Sequence, residues 1–311
     1  MQKLLTGIQS SGTLHIGNYF GALKPFAELC VQYQSTLMVA DYHAVTSLKD
    51  PAALRSNIIN VVKDYIAVGV NPTHVTMFKQ SDVPEHTELA WIFDCLVSVP
   101  FLMQAHSYKD KVAKGLEANA GLFTYPMLMA ADILLYDTDF VPVGADQRQH
   151  IEYAREAAAK FNAAYGETFK EPKERIVESV SVVPGTDGKK MSKSYGNTIP
   201  LFGTKDEIAK AVMSIVTDSN AESPENVYAI HLLLRDKTEL SDLYKDNRGK
   251  YKALKEALIE DIEAIVAPMR EVRDAITDDD VRSILKEGAM KARAIASKKM
   301  EDVRSKVGVT I

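Results

Sequence analysis

Hydrophobic positions in the first half of the chain alternate between two periods. Lys3 to Ile8 is a short apolar run, residues 36–40 (Thr-Leu-Met-Val-Ala) form a second that ends at Asp41, and Val75 to Phe78 form a third. Each has the length and composition of a strand. Between the second and third, Leu54, Ile58, Val61, Val62 and Tyr65 recur at helical spacing. Asp50 followed by Pro51 starts that helix with an N-cap and a first-turn proline. Gly69 and then Asn71-Pro72 stop it. Strand, helix, strand in this order predicts a parallel sheet with crossover helices.

Further along, Glu88 to Val97 and Tyr125 to Tyr136 have helical patterns, the second starting at Pro126. Asp146 to Asn162 reads as a strong helix, with Asp146 and Gln149 spaced as a capping box. From Asp206 onward the strand signals vanish. Leu254, Leu258, Ile262, Ile265, Met269 and Val272 form a helical stripe, with a kink expected at Pro268. The pattern therefore predicts an α/β part, residues 1–195, followed by an all-helical part, residues 196–311. The joint lies near the loop from Pro184 to Ser194. No internal repeat or low-complexity tract interrupts it.

Composition adds bounds. A chain of 311 residues is long enough for two domains, and 46% hydrophobic with 25% charged residues is ordinary for a globular protein. Two cysteines, Cys30 and Cys95, cannot make a disulfide framework or a four-ligand zinc site, and suit a reducing cytoplasm. Met1 to Gly12 lacks the apolar core of a signal peptide. No run approaches the roughly 18 apolar residues of a membrane span. The net charge of −5 hides a basic segment, Lys286 to Lys306. That segment is either a local phosphate-binding face or a solvated terminal helix.

Two stretches could carry chemistry. "GTLHIGN", Gly12 to Asn18, follows the first strand and opens a helix. Its glycine spacing is nearly that of a phosphate-binding P-loop, but Asn18 stands in the lysine's place and Tyr19 in the hydroxyl's. Gly17 would let a ligand approach the backbone, the helix N-terminus favours a phosphate, and His15 and Asn18 can hydrogen-bond phosphate oxygens. A plain tight turn fits the spacing equally well. The second stretch, Lys189-Lys-Met-Ser-Lys-Ser194, puts three lysines and two hydroxyls on a loop that Gly185 and Gly188 leave free to move. It suits a mobile clamp on a departing polyphosphate, or a solvated basic loop. None of the seven histidines falls in a metal-binding pattern.

Together the two stretches resemble the paired signatures of class I aminoacyl-tRNA synthetases, with "HIGN" standing for H-I-G-H and "KMSKS" matching outright. The segment "YPMLMAADILLYDTDFVPVGADQRQHIEYAR", Tyr125 to Arg155, closely resembles bacterial tryptophanyl-tRNA synthetases. So do "GNYFGAL" at Gly17 to Leu23, "DYHAVT" at Asp41 to Thr46, "TDS" at Thr217 to Ser219 and "GAMKARAIA" at Gly288 to Ala296. The matches are collinear over nearly the whole chain. Tyrosyl enzymes are the nearest relatives, but their Asp-Gln segment differs. The resemblance implies a Rossmann-like catalytic domain and a helical tRNA (anticodon)-binding domain. It implies activation of L-tryptophan with ATP and Mg²⁺, and transfer to tRNA(Trp) by a cytoplasmic homodimer with no membrane contact. A cysteine-rich, iron–sulfur branch of the family is excluded by the two cysteines.

The resemblance also implies site residues. For tryptophan these are His43, Tyr125, Met129, Asp132, Val141, Val143 and Gln147. Asp132 would take the indole N–H, Tyr125 and Gln147 would lie near the ammonium, and the two valines would form an apolar wall. The residues alone put Tyr125, Met129, Asp132 and Tyr136 on one helical face. A carboxylate there is costly unless paired, and an indole N–H would be the donor it lacks; a helix-surface carboxylate is the other reading. For ATP the implied set is Gln9, Ser10, Ser11, Gly17, Asn18, Gly144, Ala145, Asp146, and Lys190, Met191, Ser192, Lys193 and Ser194. An adenine contact is expected from the backbone of Val182 or Val183. His15, Asn18, Lys111, Lys190 and Lys193 would act in catalysis. Three residues depart from the family pattern: Ser10 for a proline, Leu5 for an aromatic at the pocket border, and Ala145 for a glutamate. His74, His86, His106 and His231 are expected at the surface or in the core, and the apolar run around Trp91 in the core or at a subunit contact. A tyrosine-specific relative and a non-catalytic RNA-binding paralogue are the rival readings.

Overall fold

The computed structural model describes residues 1–9, 12–115, 117–143, 148–176, 183–217 and 223–310. Among them, five parallel strands form one sheet in the order β3-β2-β1-β4-β5. The strands are β1 (Lys3–Ile8), β2 (Gln34–Val39), β3 (Val75–Lys79), β4 (Phe140–Val143) and β5 (Lys173–Ile176). β1 and β2 pair over their full lengths, from Lys3↔Gln34 to Ile8↔Val39. β1 and β4 share only Leu4↔Phe140. The chain steps outward from β1 to β3, then returns to the other side of β1 with β4. That reversal is the topological switch point where open α/β sheets bind ligands. Beyond Leu4 the two central strands part and open a crevice.

The helices up to β4 are α1 (Ile16–Asn18), α2 (Lys24–Leu29), α3 (Asp41–Val45), α4 (Pro51–Ala67), α5 (Glu85–Asp94), α6 (Val99–Leu102), α7 (His106–Ala113) and α8 (Ala120–Leu134). A π-helical turn, Tyr19–Leu23, joins α1 to α2. After β4 come α9 (Arg148–Tyr165), α10 (Lys205–Met213), α11 (Glu225–His231), α12 (Lys237–Asp246), α13 (Tyr251–Ala275) and α14 (Asp278–Val307).

Asp50 caps α4 as expected, its carboxylate accepting from the Ala52 and Ala53 N–H groups. The α8 expectation needs correcting. That helix begins at Ala120, not Pro126, because Asn119 caps it by accepting from the Leu122 N–H, and Pro126 lies inside. α13 also runs through its proline, Pro268, as one helix. It buries Leu254, Leu258, Ile262 and Val266, while Val272 from the expected stripe is exposed.

Two hydrophobic cores flank the sheet. One joins α5, α8 and α9 to the buried side of α14 through Ala292, Ala296, Met300 and Val303. The other joins α4 to α10, α11 and α13. The helical part thus packs against both faces of the α/β part. α14 lies against the edge strand β3, and at Gly288 a Cβ would overlap the Met77 carbonyl, so only glycine permits that approach. Among the described residues no helix is long and apolar enough to cross a membrane.

Candidate active site

The crevice between β1 and β4 leads into a cavity of about 410 Å³. Leu5 and Val141 from the two strands form its apolar wall, α8 contributes Tyr125, Met129 and Asp132, and His43 and His150 complete the rim. The Tyr125 ring stands edge-on to both imidazoles, 6.3 Å from His43 and 6.2 Å from His150.

Asp132 is 2% exposed, so it is no surface carboxylate. Nor does it lack donors, which corrects the sequence reading. His43 Nε2 lies 2.9 Å from Oδ2 and His86 Nδ1 lies 2.6 Å from Oδ1. The Gln80 amide donates to both oxygens at 2.8 and 3.0 Å. Gln80 is held in that orientation because its own Oε1 accepts from the Tyr42 N–H. Burial alone would raise the Asp132 pKa; the hydrogen bonds from His43 and His86 outweigh it and hold it at about 2. His86 continues the chain at Nε2, 2.7 Å from the Tyr136 hydroxyl. Burial pushes the Tyr136 pKa up, so its O–H donates to His86, and His86 donates onward to the carboxylate. The site therefore holds a fixed negative charge in the wall of an apolar cavity.

Gln80 and His86 were not among the expected site residues, although His86 was expected in surface or core positions and is buried in the core. Each is a single polar residue on β3's exit or in α5, with no periodicity to mark it. The only sequence signal is that both types are rarely fully buried without a polar partner.

The second feature is the turn after β1. His15 N-caps α1: its Nδ1 accepts from the Asn18 N–H at 3.2 Å, and the Asn18 Oδ1 accepts from the His15 N–H at 3.1 Å. This is a capping box built from histidine and asparagine instead of serine and glutamate. Gly17 makes it possible, since a Cβ there would lie 2.9 Å from His15 Nδ1 and 3.3 Å from the Met191 Cβ. Burial, aided by the charge of Lys193, lowers the His15 pKa to about 4. The ring is neutral at pH 7, and with Nδ1 accepting, Nε2 carries the proton as a donor. Because the folded value lies below the ordinary 6.5, this group's contribution to stability is complete above about pH 6.5 and is lost as pH falls toward 4. The His15 imidazole titration followed by NMR should centre near pH 4; a midpoint near 6.5 would mean an open, solvated cap.

The lysine loop faces this turn. The Lys193 Nζ would lie 3.8 Å from a Cβ built on Gly12. Desolvation lowers its pKa, and the Asp64 charge opposes the shift. Met191 is buried and anchors the loop in the core. Ser192 and Ser194 hydroxyls lie 2.8 Å apart. Buried Asn197 holds the loop together: its Oδ1 accepts from the Ser192 N–H at 2.8 Å, and its Nδ2 donates to Asp187 and to the Lys190 carbonyl at 2.6 and 3.1 Å. A Cβ on Gly185 would overlap Asn197, and one on Gly188 would overlap Asn226. These glycines, expected to permit movement, instead admit the side chains that brace the loop.

The two stretches pack against each other at Gly17 and Met191, and the turn is bonded to the chain just beyond the loop. Ile16 donates its N–H to the Ile199 carbonyl and Leu201 donates to the Leu14 carbonyl, both at 3.0 Å. The histidine-capped helix start is thus backbone-bonded to the segment that follows the lysine loop, and the loop itself packs against the turn through Met191 at Gly17 and Lys193 at Gly12. Their donors suit phosphate oxygens.

Of the other expected residues, Gln9 lines the cavity. Lys111 lies on α7, with no hydrogen bond to either signature among the described residues. The Val183 carbonyl accepts from the Met191 N–H at 2.8 Å. Ser10, Ser11, Gly144, Ala145, Asp146, Gln147 and Val182 lie outside the described residues, as does the side chain of Val143. His74 and His106 are exposed, and His231 is buried.

The basic segment divides. Arg293 reaches Glu85, Arg304 forms a two-pronged pair with Glu88, and Lys299 pairs with Asp137 at 2.7 Å. Lys306 bonds the Glu167 carbonyl and the Thr168 hydroxyl. These four fasten α14 to the α/β part. Lys286, Lys291 and Lys298 have no anionic partner among the described residues.

Comparison with known proteins follows the same lines. A family model described as tRNA synthetases class I (W and Y) matches residues 1–277. A tryptophan–tRNA ligase from Fusobacterium nucleatum subsp. nucleatum is 47% identical over 99% of this chain and 98% of its own length. One from Campylobacter jejuni strain RM1221 is 44% identical over 99% of this chain and all of its own. A crystal structure of tryptophanyl-tRNA synthetase from Campylobacter jejuni, complexed with ADP and tryptophan, superposes with a TM-score of 0.93 at 43% identity, covering 99% of this chain and 100% of that one.

Proposed function

Because the chain belongs to the class I tRNA synthetases of the W and Y family, we propose that it activates L-tryptophan with ATP and transfers the tryptophanyl group to tRNA(Trp), releasing AMP and pyrophosphate. The observation that carries this reading is a buried Asp132 held by His43, Gln80 and His86 in an apolar cavity, with a histidine-capped turn and a lysine loop packed against each other.

The tryptophan side chain fills the cavity, with its indole N–H toward Asp132 and its carboxylate toward the crevice. That carboxylate attacks the α-phosphorus of ATP in line; the bond to the bridging oxygen breaks and pyrophosphate leaves. No proton needs to move, because the nucleophile is already ionised. The protein contributes positioning and charge stabilisation. His15 offers its Nε2–H and Lys193 its ammonium to the phosphate oxygens, and Lys190 and Lys111 add charge around them. ATP enters as its Mg²⁺ complex. Lysines and an imidazole N–H suit phosphate oxygens and not a divalent cation, so the ion is held chiefly by the phosphates and water. Gln9, Gly17, Asn18, Met191, Ser192 and Ser194, with Ser10, Ser11, Gly144, Ala145, Asp146 and the backbone near Val182, make up the nucleotide subsite. Gln147, Tyr125, Met129, His43, Val141 and Val143 complete the amino-acid subsite. A terminal ribose hydroxyl of tRNA then attacks the adenylate carbonyl and AMP leaves.

Residues 196–311 act as the tRNA (anticodon)-binding part in the cytoplasm. The working form is a homodimer. Trp91, Val99 and Met103 are 70%, 59% and 49% exposed on neighbouring segments of α5 and α6, an apolar surface of the kind that marks a subunit contact. Sedimentation at micromolar protein should give twice the chain mass, and a monomer would remove the dimer from the reading.

Pyrophosphate exchange into ATP, run with each of the twenty amino acids, tests the function. Tryptophan alone should support rapid exchange. Exchange with none would favour an RNA-binding paralogue, and equal or better exchange with tyrosine a tyrosine-specific one.

A further inference from the structure

A second cavity, of about 430 Å³, lies outside the crevice, between the exit of β3 and the first half of α14. Lys79 and Asp82 close one end. Arg282, Lys286 and Arg293 line it from α14, spaced i, i+4 and i+11 on one face of the helix. Leu285, Ala289 and Met290 lie between these cations and give the cavity an apolar wall, with Met290 60% exposed. The positive charge is only partly answered. Asp82 is paired with Lys79 at 2.7 Å. Arg282 spends one Nη on Asp279, and Arg293 spends its Nε on Glu85 at 3.3 Å. Among the described residues the other nitrogens of both guanidinium groups, and the Lys286 ammonium, have no partner.

Two of these cations adjoin the supports of Asp132. Lys79 precedes Gln80 in the chain and bonds the Ser81 hydroxyl on its other side. Arg293 bonds Glu85, which precedes His86 in the first turn of α5. Glu85 is buried; its Oε1 also accepts from the Ser297 hydroxyl at 2.6 Å, but its Oε2 is buried with no partner among the described residues. Gln80 and His86 are the two fully buried donors to the Asp132 carboxylate.

We propose that this cavity is an effector site for a small phosphate monoester with a flat apolar body, of the kind a nucleoside monophosphate presents, and that filling it weakens the tryptophan site. The forks of Arg282 and Arg293 and the Lys286 ammonium meet the phosphate, because guanidinium groups bind phosphate oxygens in pairs. The flat body lies on Leu285, Ala289 and Met290, whose thioether favours an aromatic ring. The volume is in the range of small-molecule sites and gives room for one nucleotide. A phosphate that engages Arg293 draws it from Glu85. That carboxylate, already short of donors, then keeps Ser297 alone, and the turn of α5 that carries His86 loses a tether. The Arg293–Glu85 bond, made with the cavity empty and given up when it is filled, is the differential contact that such coupling requires. The effect on tryptophan rests on the charging reading above; the binding of the phosphate ester does not.

The test titrates guanosine monophosphate into the full-length protein by calorimetry, with a non-hydrolysable ATP analogue filling the nucleotide subsite. Saturable binding with a Kd below about 1 mM is expected. Guanosine, which lacks the phosphate, and inorganic phosphate, which lacks the body, should each bind roughly tenfold more weakly or worse. Lys286→Ala and Arg282→Ala should each raise the Kd by roughly tenfold, the worth of one hydrogen bond to a charged group. Both should keep wild-type pyrophosphate exchange without the ligand, which also shows that they fold. Guanosine monophosphate should raise the Kd for tryptophan about fivefold or more, and tryptophan should raise the Kd for guanosine monophosphate by the same factor. No saturable binding would overturn the site. Binding that competes with ATP, or that both variants leave unchanged, would belong to the nucleotide subsite and equally overturn it. Equal affinity for inorganic phosphate would overturn the ligand class. A raised KM for tRNA in Lys286→Ala, with no guanosine monophosphate bound by the unaltered protein, would make these cations a tRNA contact and overturn the effector reading. Binding with no change in the Kd for tryptophan would overturn the coupling to Asp132. Absence of exchange in the unaltered protein would instead remove the charging reading, and the calorimetry would still decide the cavity.

Discussion

In pyrophosphate exchange, tryptophan should exceed phenylalanine in kcat/KM by roughly 10⁴–10⁵, the scale on which a site built around a buried hydrogen-bonding group rejects an analogue that lacks the partner. The reason lies in how Asp132 is held. Its carboxylate is ionised in an apolar wall with His43, Gln80 and His86 as donors. A benzyl side chain would fill the space, displace water and leave part of that charge without a ligand donor. Asp132→Asn should narrow the discrimination and raise the KM for tryptophan by roughly 10- to 150-fold, the worth of about 1.5–3 kcal/mol for a hydrogen bond to a charged group. An asparagine also turns one NH₂ toward groups that donate. His86 can answer by exchanging tautomers with Tyr136, but Gln80 can flip only by giving up the Tyr42 N–H. The KM for ATP should barely move. Equal losses for both substrates would mean that the substitution acts through folding, and a phenylalanine rate within tenfold of tryptophan would end the assignment of Asp132 as the indole's partner.

Lys193→Ala should slow adenylate formation by about 10²–10³, the usual effect of removing one preorganised charge from a transition state. The Lys193 ammonium lies beside Gly12, across the mouth of the crevice from the His15 cap, where its charge also helps to keep His15 neutral. On the proposed reading, negative charge builds on oxygens held between these two groups as pyrophosphate departs. The proposed tryptophan site lies deeper in the cavity, so tryptophan binding should be unchanged. Single-turnover adenylate formation separates the two steps, and a near-normal rate would reduce Lys193 to a solvated charge.

The sequence made some elements of this site plain and hid others, for identifiable reasons. β1, β2 and β3 are apolar runs bounded by breakers, and the two signature stretches combine unusual residues at fixed spacing. β5 reads Lys-Glu-Arg-Ile, a polar edge strand without alternation, and β4 is four residues long with Pro142 inside. Neither resembles a strand until its neighbours are in place. Gln80 and His86 lie 52 and 46 residues from Asp132 and meet it only through the packing of β3 and α5 on α8. Asn197 is a lone amide whose importance comes from the close approach of Gly185 and from its bonds to Ser192, Asp187 and Lys190. The basic run in α14 had two readings, surface helix or phosphate face, and four of its seven cations took neither: they are staples to Glu85, Glu88, Asp137 and the residues around Thr168.

The seating of α14 against β3 has a consequence for how the chain is made. β3 ends at Lys79 and α14 begins at Asp278, so 198 residues lie between the two. At ribosomal rates of about 5–20 residues per second, the strand leaves the tunnel roughly 10–40 s before the helix that will cover it. Through that interval the nascent sheet carries an open edge at Met77, the kind of template on which strands of other chains pair. A Gly288 substitution, which would hold the helix off the strand, would therefore act first on the yield of native protein during synthesis, before it touched any property of the finished fold.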